Sequence, residues 1–481
     1  MKIMFINPLL GGDFSTLDIS ITNLATYINE RTNHDASITD MTFHTRHWKS
    51  HLHRMIQRHR PDVIGMSCNT MYMQYIKKIA EEAKEISDAK IICGGYHASI
   101  KPAETLDIPW VDAVCIGDGE FALTEYMDRL SGNKSLAGIK GIWAKKKGGI
   151  IKNPGGCFIK NIDEMPTPNW DLWPDLDKYF YYLGMMYCIG TRGCPYKCTY
   201  CDAHGISKSV KGNYYRLRNP QAYAKEIAYQ WNKYEGRGMR FVQMFDQVPT
   251  MNRKWLQEFT DSYKKETDSE EHRYSMFSRI DHLDEEKIRM LAKSGCALLR
   301  IGVEAGDPFI RNKIYNKNIS NDQIRRIFKL CKRHGVGVTA YYMLGGPGEN
   351  VSTMQSTIRL AKELDANRSA FFIYKPFTEE GQMLISEYGG AIDQKRWQKA
   401  DNITFDAVVR LKDVSPATVE WLQRKAYIET FNKRLGKMLR KDKGMYFARL
   451  VKYVSSGIYD RLDFDYLVPY FHIYGYDWVD K

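Results

Sequence analysis

Apolar runs alternate with helically spaced segments over the first part of the chain, residues 1–130. Short apolar strands separated by helices are typical of a doubly wound parallel sheet, because parallel strands need crossover connections. In such a sheet, ligands bind beyond the carboxyl ends of the strands. The strand signals are KIMFIN (2–7), residues 36–41, DVIGMS (62–67), IICGG (91–95) and DAVCIG (112–117).

A second alternation runs from about residue 186 to residue 375 and predicts a partial TIM-type barrel of six βα units. Active sites of such barrels lie at the C-terminal ends of the strands. The six strand signals are MYCIGT, RFVQMFD, YSMFS, ALLRIGV, GVTAYYM and SAFFIY.

Four domains or segments follow from these patterns, since one hydrophobic core does not grow to 481 residues. We expect a Rossmann-like α/β domain over 1–150 and a barrel over 186–385. The proline-rich segment 151–185 is predicted to be a linker that wraps across a domain surface. Residues 386–481 are expected to form a small, mostly helical cap with an aromatic end.

The composition predicts a soluble, cytoplasmic protein. Hydrophobic residues make up 43% and charged residues 26%, and no apolar run reaches the roughly 18 residues of a membrane span. The N-terminus has no signal-peptide pattern. The net charge of +13 favours a solvated basic surface over nucleic-acid binding. Residues 424–443 form a basic amphipathic stretch, which is either an ordinary helix or a contact for a phosphate-bearing substrate or a membrane surface.

Three cysteines, Cys194, Cys198 and Cys201, stand in a C-x3-C-x2-C pattern directly after a strand. Thiolates bind zinc or iron–sulfur clusters, but structural zinc wants four ligands, usually as two separated pairs. No second pair follows here. Three cysteines on one loop leave the fourth iron of a [4Fe–4S] cluster open, as a reactive cluster needs. The pattern therefore predicts such a cluster.

This motif resembles that of the radical SAM superfamily, in which the open iron chelates S-adenosylmethionine and one electron cleaves it to a 5′-deoxyadenosyl radical. The resemblance implies adenine packing by Tyr200 and ribose contacts by Glu304. It also places Asp246 near the methionyl group, although the usual second acid is Gln247 here. Ser278 and Arg279 match the positions that hold the methionine carboxylate. Gly345, in MLGGPGEN, matches the loop that supports the adenosyl group.

The first domain resembles the cobalamin-binding domain of one large radical SAM subgroup, through GGYHAS (94–99) and GDGEFALTEYM (117–127). The loop after the first strand, PLLGGDFST, contains no histidine, so the resemblance implies base-off cobalamin without a histidine ligand from that loop. A sheet of this kind can also persist without its ligand. The expected contacts are Pro8, Leu9, Ser67, Cys68, Asn69, Thr70, Gly94, Gly95, Tyr96, His97, Gly117, Gly119 and Glu120.

The resemblance implies C-methylation of an unactivated carbon through methylcobalamin. One alternative is a cyclase or rearrangement enzyme without methyl transfer, and another is a non-enzymatic corrinoid or iron–sulfur carrier. Small molecules, lipids and peptides all stay open as substrates, with flavodoxin or ferredoxin expected as electron donor. The aromatic C-terminal tail either closes over the substrate or forms the core of the cap.

Overall fold

The computed structural model describes residues 1–10, 17–400 and 404–441, and it describes no side chain for Tyr182 or for residues 431–441. Packing divides the chain into two compact units. The first consists of Met1–Tyr179, Gly193–Pro195 and Asp202–Arg216, and the second contains the rest. The expected four-part division stays a prediction.

The first unit is built on a seven-stranded sheet with the order β2-β1-β3-β4-β5-β6-β7, in which the first five strands are parallel and β6 and β7 run antiparallel. The order reverses between β1 and β3, and ligands of doubly wound sheets bind at such a switch point. The strands are β1 (Lys2–Asn7), β2 (Asp35–Asp40), β3 (Val63–Ser67), β4 (Lys90–Gly94), β5 (Ala113–Cys115), β6 (Ile142–Lys146) and β7 (Gly149–Lys152).

Amphipathic helices cover this sheet, because an apolar stripe repeated at helical spacing must be buried. The third helix buries Ile76, Ile79, Ala80 and Ala83 in the same core cluster as Ile64 of β3. The helices are α1 (Ile19–Arg31), α2 (Trp48–His59), α3 (Met73–Ile86), α4 (Gly95–Ile100), α5 (Pro102–Leu106), α6 (Glu120–Ser131), α7 (Leu176–Leu183) and α8 (Ala203–Ser209).

The segment expected to be a linker contains two 3-10 turns and the whole of α7, and it packs against α1 and β2. The indole Nε1 of Trp173 donates to Thr22 Oγ1 at 2.8 Å, and the Tyr179 hydroxyl donates to Asp40 Oδ2 at 2.7 Å. Asp40 is fully buried, and burial raises the pKa of its carboxyl. These buried polar contacts hold the end of the linker on the first unit.

The second unit contains a six-stranded parallel sheet with the order β15-β14-β13-β12-β11-β8. All six strands coincide with the six predicted barrel strands, so the expected partial barrel is confirmed. The strands from here to the end of the described chain are β8 (Met185–Cys188), β9 (Thr191–Arg192), β10 (Arg216–Leu217), β11 (Phe241–Met244), β12 (Tyr274–Ser278), β13 (Cys296–Glu304), β14 (Gly337–Leu344), β15 (Arg368–Ile373), β16 (Ala391–Ile392) and β17 (Val409–Arg410).

The end of the described chain is mostly helical, as expected, and β16 and β17 pair in a small antiparallel sheet. The last helix packs on the barrel, where Tyr427 Oη accepts from the Phe371 amide at 3.0 Å. The aromatic tail, 446–478, lies outside the described residues. The helices are α9 (Pro220–Tyr234), α10 (Arg253–Glu266), α11 (Glu285–Lys293), α12 (Asn321–Arg333), α13 (Val351–Leu364), α14 (Glu379–Glu387), α15 (Gln394–Lys399) and α16 (Pro416–Lys441).

None of the helices in the described ranges is both long and apolar enough to cross a bilayer.

Candidate functional site

The three motif cysteines lie on the loop after β9, and none of the three forms a disulfide bond with a described residue. Cys198 is buried, whereas Cys194 and Cys201 are partly exposed. The Cys201 amide donates to the Cys198 carbonyl at 3.1 Å, which closes a turn between the last two cysteines. Gly193 has a φ of +90°, and a Cβ there would lie 2.0 Å from the Tyr214 carbonyl oxygen, so only glycine fits before Cys194.

The loop between β13 and α12, residues 305–320, holds the middle of the cysteine loop through backbone contacts. Thr199 Oγ1 donates to the Ile314 carbonyl at 2.7 Å, and Asn316 Nδ2 donates to the Lys197 carbonyl at 2.9 Å. Part of this loop is a short π-helix, a conformation found mostly at functional sites. The segment between Cys194 and Cys201 is therefore held by side chains remote in sequence.

Arg279 reaches the cysteine loop directly. Its Nη1 lies 3.6 Å from Cys198 Sγ, and its guanidinium carbon lies 3.7 Å from the centre of the Tyr196 ring. The other donors bind Asp281, at 3.0 and 3.1 Å, and the Lys317 carbonyl, at 3.0 Å. Arg279, which was expected at the methionine carboxylate, thus binds mainly the Asp281 carboxylate and the Cys198 thiol.

Glu304 ends β13 in a left-handed conformation, with a φ of +67° that is rare for a residue with a side chain. Its Oε1 accepts from the Tyr200 hydroxyl at 3.0 Å and from Lys317 Nζ at 2.5 Å. Lys317 Nζ also donates to the Gly302 carbonyl. The structure therefore brings together Tyr200 and Glu304, the residues expected at adenine and ribose. Lys317 was missed by sequence reasoning, because nothing in its spacing marks it.

Asp246 is fully buried and binds the backbone that leads into the cysteine loop. Its Oδ1 accepts from the Gly190 amide at 2.8 Å, and its Oδ2 accepts from the Tyr223 hydroxyl at 3.0 Å. Burial raises the pKa of this carboxyl to about 6. Ser278, which is also buried, shares a hydrogen bond of 2.7 Å with Thr250. Neither residue joins the contacts that link Tyr200 to Glu304.

The glycine-rich loop after β14 contains a second buried carboxyl that sequence reasoning missed. Glu349 Oε2 accepts from the Gly346 amide at 3.0 Å, and burial raises the pKa of this carboxyl to about 8. Gly345 has a φ of +81°, so the loop needs glycine at that position. The sequence signal that could have identified Glu349 is the proline–glycine turn directly before it.

Across the described chain, no three His, Cys, Asp or Glu side chains are arranged around a single metal ion. A cubane cluster is a different kind of site, because each thiolate binds a separate iron atom. Arg279 Nη1 beside Cys198 Sγ is the contact that fits a cluster-bound thiolate, since a cation stabilises it.

In the first unit, glycines end β4 beside the carboxyl end of β3. Gly95 has a φ of +86°, and a Cβ there would lie 2.9 Å from Ser67 Oγ and 3.0 Å from the Cys68 amide, so the packing of the chain itself requires glycine. A Cβ on Gly94 would meet nothing nearer than 3.8 Å. The backbone at Gly94 carries no side chain that would keep a bulky ligand away, which is compatible with a corrin nucleotide.

Two side chains at this edge could be cobalt ligands. Each has a polar partner, although His97 Nε2 is buried without a hydrogen-bond partner among the described residues. Cys68 is buried against Cys93, and its hydrogen bond with that thiol and its burial raise its pKa well above the usual value. His97 Nδ1 shares a 3.0 Å hydrogen bond with Thr70 Oγ1. Burial lowers the pKa of His97 to about 4, which keeps the ring neutral.

The other residues expected around cobalamin lie at the same ends of the strands. Pro8 and Leu9 are buried after β1, Asn69 Oδ1 accepts from the Met71 amide, and Tyr96 is 41% exposed. The remaining three lie where β5 leads into α6. Gly117 has a φ of +91°, Gly119 precedes the helix, and Glu120 is buried in its first turn.

Family models match both units of the chain. The Radical SAM superfamily model matches residues 188–361, and the B12 binding domain model matches residues 12–127. The chain belongs to the radical SAM superfamily and carries a B12-binding domain. The cofactors of this radical SAM enzyme are a [4Fe–4S] cluster, S-adenosylmethionine and cobalamin.

Known proteins with this architecture resemble the enzyme over most of its length. An uncharacterized methyltransferase of Pyrococcus horikoshii is 27% identical, over 92% of this chain and 93% of the relative. The anaerobic magnesium-protoporphyrin IX monomethyl ester cyclase of Rubrivivax gelatinosus is 23% identical, over 72% and 61%. The structure of a radical S-adenosylmethionine methyltransferase from Kitasatospora setae has 17% identity, covers 90% and 88%, and has a TM-score of 0.69, which shows a shared fold.

Proposed function

We propose that this radical SAM enzyme is a cobalamin-dependent C-methyltransferase that acts on an unactivated carbon of a small molecule. The observation that carries the proposal is the pair of contacts on Glu304 Oε1. One comes from Tyr200, the residue before Cys201, and the other from the buried Lys317. A carrier of electrons or of corrinoid needs no such polar receptor beside its cysteines.

When bound, the cluster would supply the electron for reductive cleavage of S-adenosylmethionine, and cobalamin would supply the methyl group. The residues of the chain bind and orient. Cys194, Cys198 and Cys201 hold the cluster, with Arg279 beside the Cys198 thiolate. Glu304 accepts from the ribose hydroxyls, and the ion pair with Lys317 fixes its carboxylate in place.

Tyr200 presents its ring to the adenine, while its hydroxyl is anchored on Glu304. Its ring also packs edge-on against Tyr315, with 5.4 Å between the ring centres. A side chain held at both ends loses little entropy on binding, so it can position the nucleoside before reaction. Asp246 acts as a positioning residue, because both of its oxygens bind the chain that leads into the cysteine loop or the helix beside it.

In the first unit, the glycine ends of β4 and β5 receive the nucleotide tail of cobalamin, and the residues after β3 face the corrin. The structure gives His97 a hydroxyl partner and a neutral ring. The proposal keeps cobalamin base-off, without a histidine ligand to cobalt, because the loop after β1, PLLGGDFST, contains no histidine.

Reductive cleavage of S-adenosylmethionine tests the radical step. Anaerobically reconstituted enzyme with dithionite should form 5′-deoxyadenosine, and Cys201→Ala should abolish it because one cluster ligand is lost. Cys157→Ala is the matched control, since Cys157 is an exposed thiol outside the motif. A wild-type yield equal to that of Cys201→Ala would contradict the proposal.

Methyl transfer has a competitor in oxidative cyclisation, which one cyclase relative favours. Cell extract incubated with the enzyme and methyl-deuterated S-adenosylmethionine should yield a product that retains the labelled methyl group. A product of changed mass without the label would instead indicate cyclisation or rearrangement. We rank methylation first, because the relative that matches nearly the whole chain is a methyltransferase.

The proposal includes a cytoplasmic location and a flavodoxin or ferredoxin as electron donor, since cluster reduction needs a donor of low potential. Peripheral membrane contact through the basic stretch 424–443 is an optional part of it. Most side chains of that stretch lie outside the described residues.

A further inference from the structure

Aromatic side chains line one face of the barrel sheet. Phe245, Phe277, Tyr341 and Phe372 follow each other across the strands, with ring centres 5.9, 6.2 and 5.8 Å apart. The last two pairs are stacked, with ring planes 24° and 27° apart. All four rings are partly exposed, whereas their neighbours on the opposite face, such as Tyr342 and Tyr274, are fully buried. This aromatic face is thus open to a ligand.

A single cation, Arg300 of β13, lies among these rings. It pairs in register with Phe277 of β12, and its guanidinium carbon is 5.7 Å from the centre of that ring. Nη1 donates to the Tyr341 hydroxyl at 3.1 Å, and Nη2 donates to Gln243 Oε1. A guanidinium carries five N–H donors, so these two neutral acceptors leave most of its donors unused.

The charge of Arg300 has no carboxylate partner among the residues that the structure describes, and its Nε is buried without an acceptor. Two further polar atoms without partners, Ser275 Oγ and Thr339 Oγ1, belong to strand positions beside it. Thr339 pairs in register with Arg300, and Ser275 pairs with Gln243. Both side chains are at least nine-tenths buried. Buried polar groups without partners are costly, and a bound anion would satisfy them.

We propose that the aromatic face and Arg300 form the substrate subsite of the enzyme, and that the substrate is a planar, unsaturated molecule carrying a carboxylate. This inference rests on the proposed function, since it names the substrate class of the same enzyme. The rings stack on the flat part of the molecule, while Arg300 binds the carboxylate through its free donors.

A carboxylate suits this site better than a phosphate because of charge balance. The aromatic face carries one formal positive charge, and one carboxylate neutralises it. A phosphate dianion would leave a net negative charge among aromatic rings, where desolvation is unfavourable. Planar guanidinium donors also match the two oxygens of a carboxylate.

Equilibrium dialysis with two matched probes tests the subsite. The probes are 1-naphthoate and 1-naphthalenemethanol, which share a ring system but differ in charge. The protein is the full chain with reconstituted cluster and cobalamin, and saturating S-adenosylhomocysteine blocks the nucleoside site. We expect naphthoate to bind at least about tenfold more tightly than the alcohol.

Arg300→Gln should bring the two dissociation constants to within about twofold of each other, and Arg300→Lys should retain part of the difference. Arg326→Gln, a change at an exposed arginine of α12, should leave the difference intact. Phe277→Leu should weaken the binding of both probes to the same extent. This variant tests the aromatic face even if Arg300→Gln fails to fold. Equal affinities in the wild type, or a preference that survives Arg300→Gln, would overturn the inference.

Formation of 5′-deoxyadenosine is measured in the same preparations to separate this inference from the proposed function. Wild-type enzyme that cleaves S-adenosylmethionine but does not prefer naphthoate would refute the subsite alone. Enzyme that prefers naphthoate through Arg300 but forms no 5′-deoxyadenosine would refute the proposed reaction alone.

Discussion

Glu304 combines a left-handed backbone, a buried lysine and a tyrosine hydroxyl at the end of one barrel strand. Such a conformation costs about 1–3 kcal/mol in a residue with a side chain and persists where the surroundings enforce it. Here the hydrogen bond from Lys317 Nζ to Glu304 Oε1 helps to hold this conformation. Since both partners are more than nine-tenths buried, the pair is sensitive to the loss of either charge.

We expect Lys317→Met to destabilise the enzyme by about 3–5 kcal/mol, because it leaves the Glu304 charge buried without a partner. Urea-induced unfolding followed by circular dichroism measures the change. Lys313→Met, at an exposed lysine of the same loop, is the control and should have little effect. Adding Glu304→Gln to Lys317→Met should restore much of the loss; if it does not, the pair is not the cause.

Arg279 is expected to act on the cluster through Cys198. A positive charge beside a cluster thiolate stabilises the reduced, more negative state, so Arg279→Gln should lower the reduction potential. A shift on the order of 60 mV corresponds to a tenfold change in the one-electron equilibrium. Electron paramagnetic resonance during a redox titration measures it.

The control for that shift is Arg253→Gln, because Arg253 is a half-exposed arginine that binds Asp284 and Glu286. The cluster of the Arg253→Gln variant should have the same reduction potential as that of the wild type. An unchanged potential in Arg279→Gln, together with weaker binding of S-adenosylmethionine, would favour a contact with the methionine carboxylate instead.

At the scale of elements, the polar residues of the site lie at the ends of the barrel strands and on the loops that follow them. The loop 305–320 makes hydrogen bonds with the cysteine loop, and the loop after β14 is organised around Glu349. Loops held on a rigid sheet can bring residues remote in sequence together. The stability of these loops therefore bears directly on the site.

The stability of the glycine-rich loop should depend on pH through Glu349. Its pKa is about 8 in the folded protein, against 4.5 ordinarily, so the folded state retains a proton that the unfolded state has lost. The stabilisation is complete below pH 4.5 and is lost as the pH rises to about 8, by at most about 1.4 kcal/mol per unit. Glu349→Gln should flatten this slope.

Urea unfolding at several values between pH 5 and pH 8 measures both slopes. Glu380→Gln, a change at an exposed acid of α14, should keep the slope of the wild type. A Glu349→Gln variant with an unchanged slope would show that other groups dominate the pH dependence.

For the whole molecule, we expect cobalamin to bind the first unit, so the state of cobalt should report on that unit. We expect the full-length enzyme with cob(II)alamin to show a base-off resonance spectrum without splitting from a nitrogen ligand. The reason is that the loop after β1, PLLGGDFST, contains no histidine. His97, whose Nδ1 is bound to Thr70, is the histidine at the strand ends that could take its place. The His97→Ala variant should give the same spectrum; a nitrogen splitting that this variant removes would refute the expectation.

The sequence alone determined the elements and the cysteine chemistry. Apolar runs repeat within a few residues, so the six barrel strands and the parallel sheet of the first unit could be read locally. The spacing of Cys194, Cys198 and Cys201 is likewise local, because one short loop holds all three. Residues at strand ends, such as Glu304, could be named because the resemblance to the radical SAM superfamily implies contacts there.

Only the tertiary structure decided which side chains meet. Lys317 reaches Glu304, and Arg279 reaches Cys198 across 81 positions of sequence. In the sequence, nothing distinguishes Arg300 from other strand residues. Its neighbours on β12 and β14 in the structure show that no carboxylate among the described residues pairs with its charge. Partners of this kind depend on strand order and register. No periodicity within one segment records them, because burial and pairing arise only when distant segments pack.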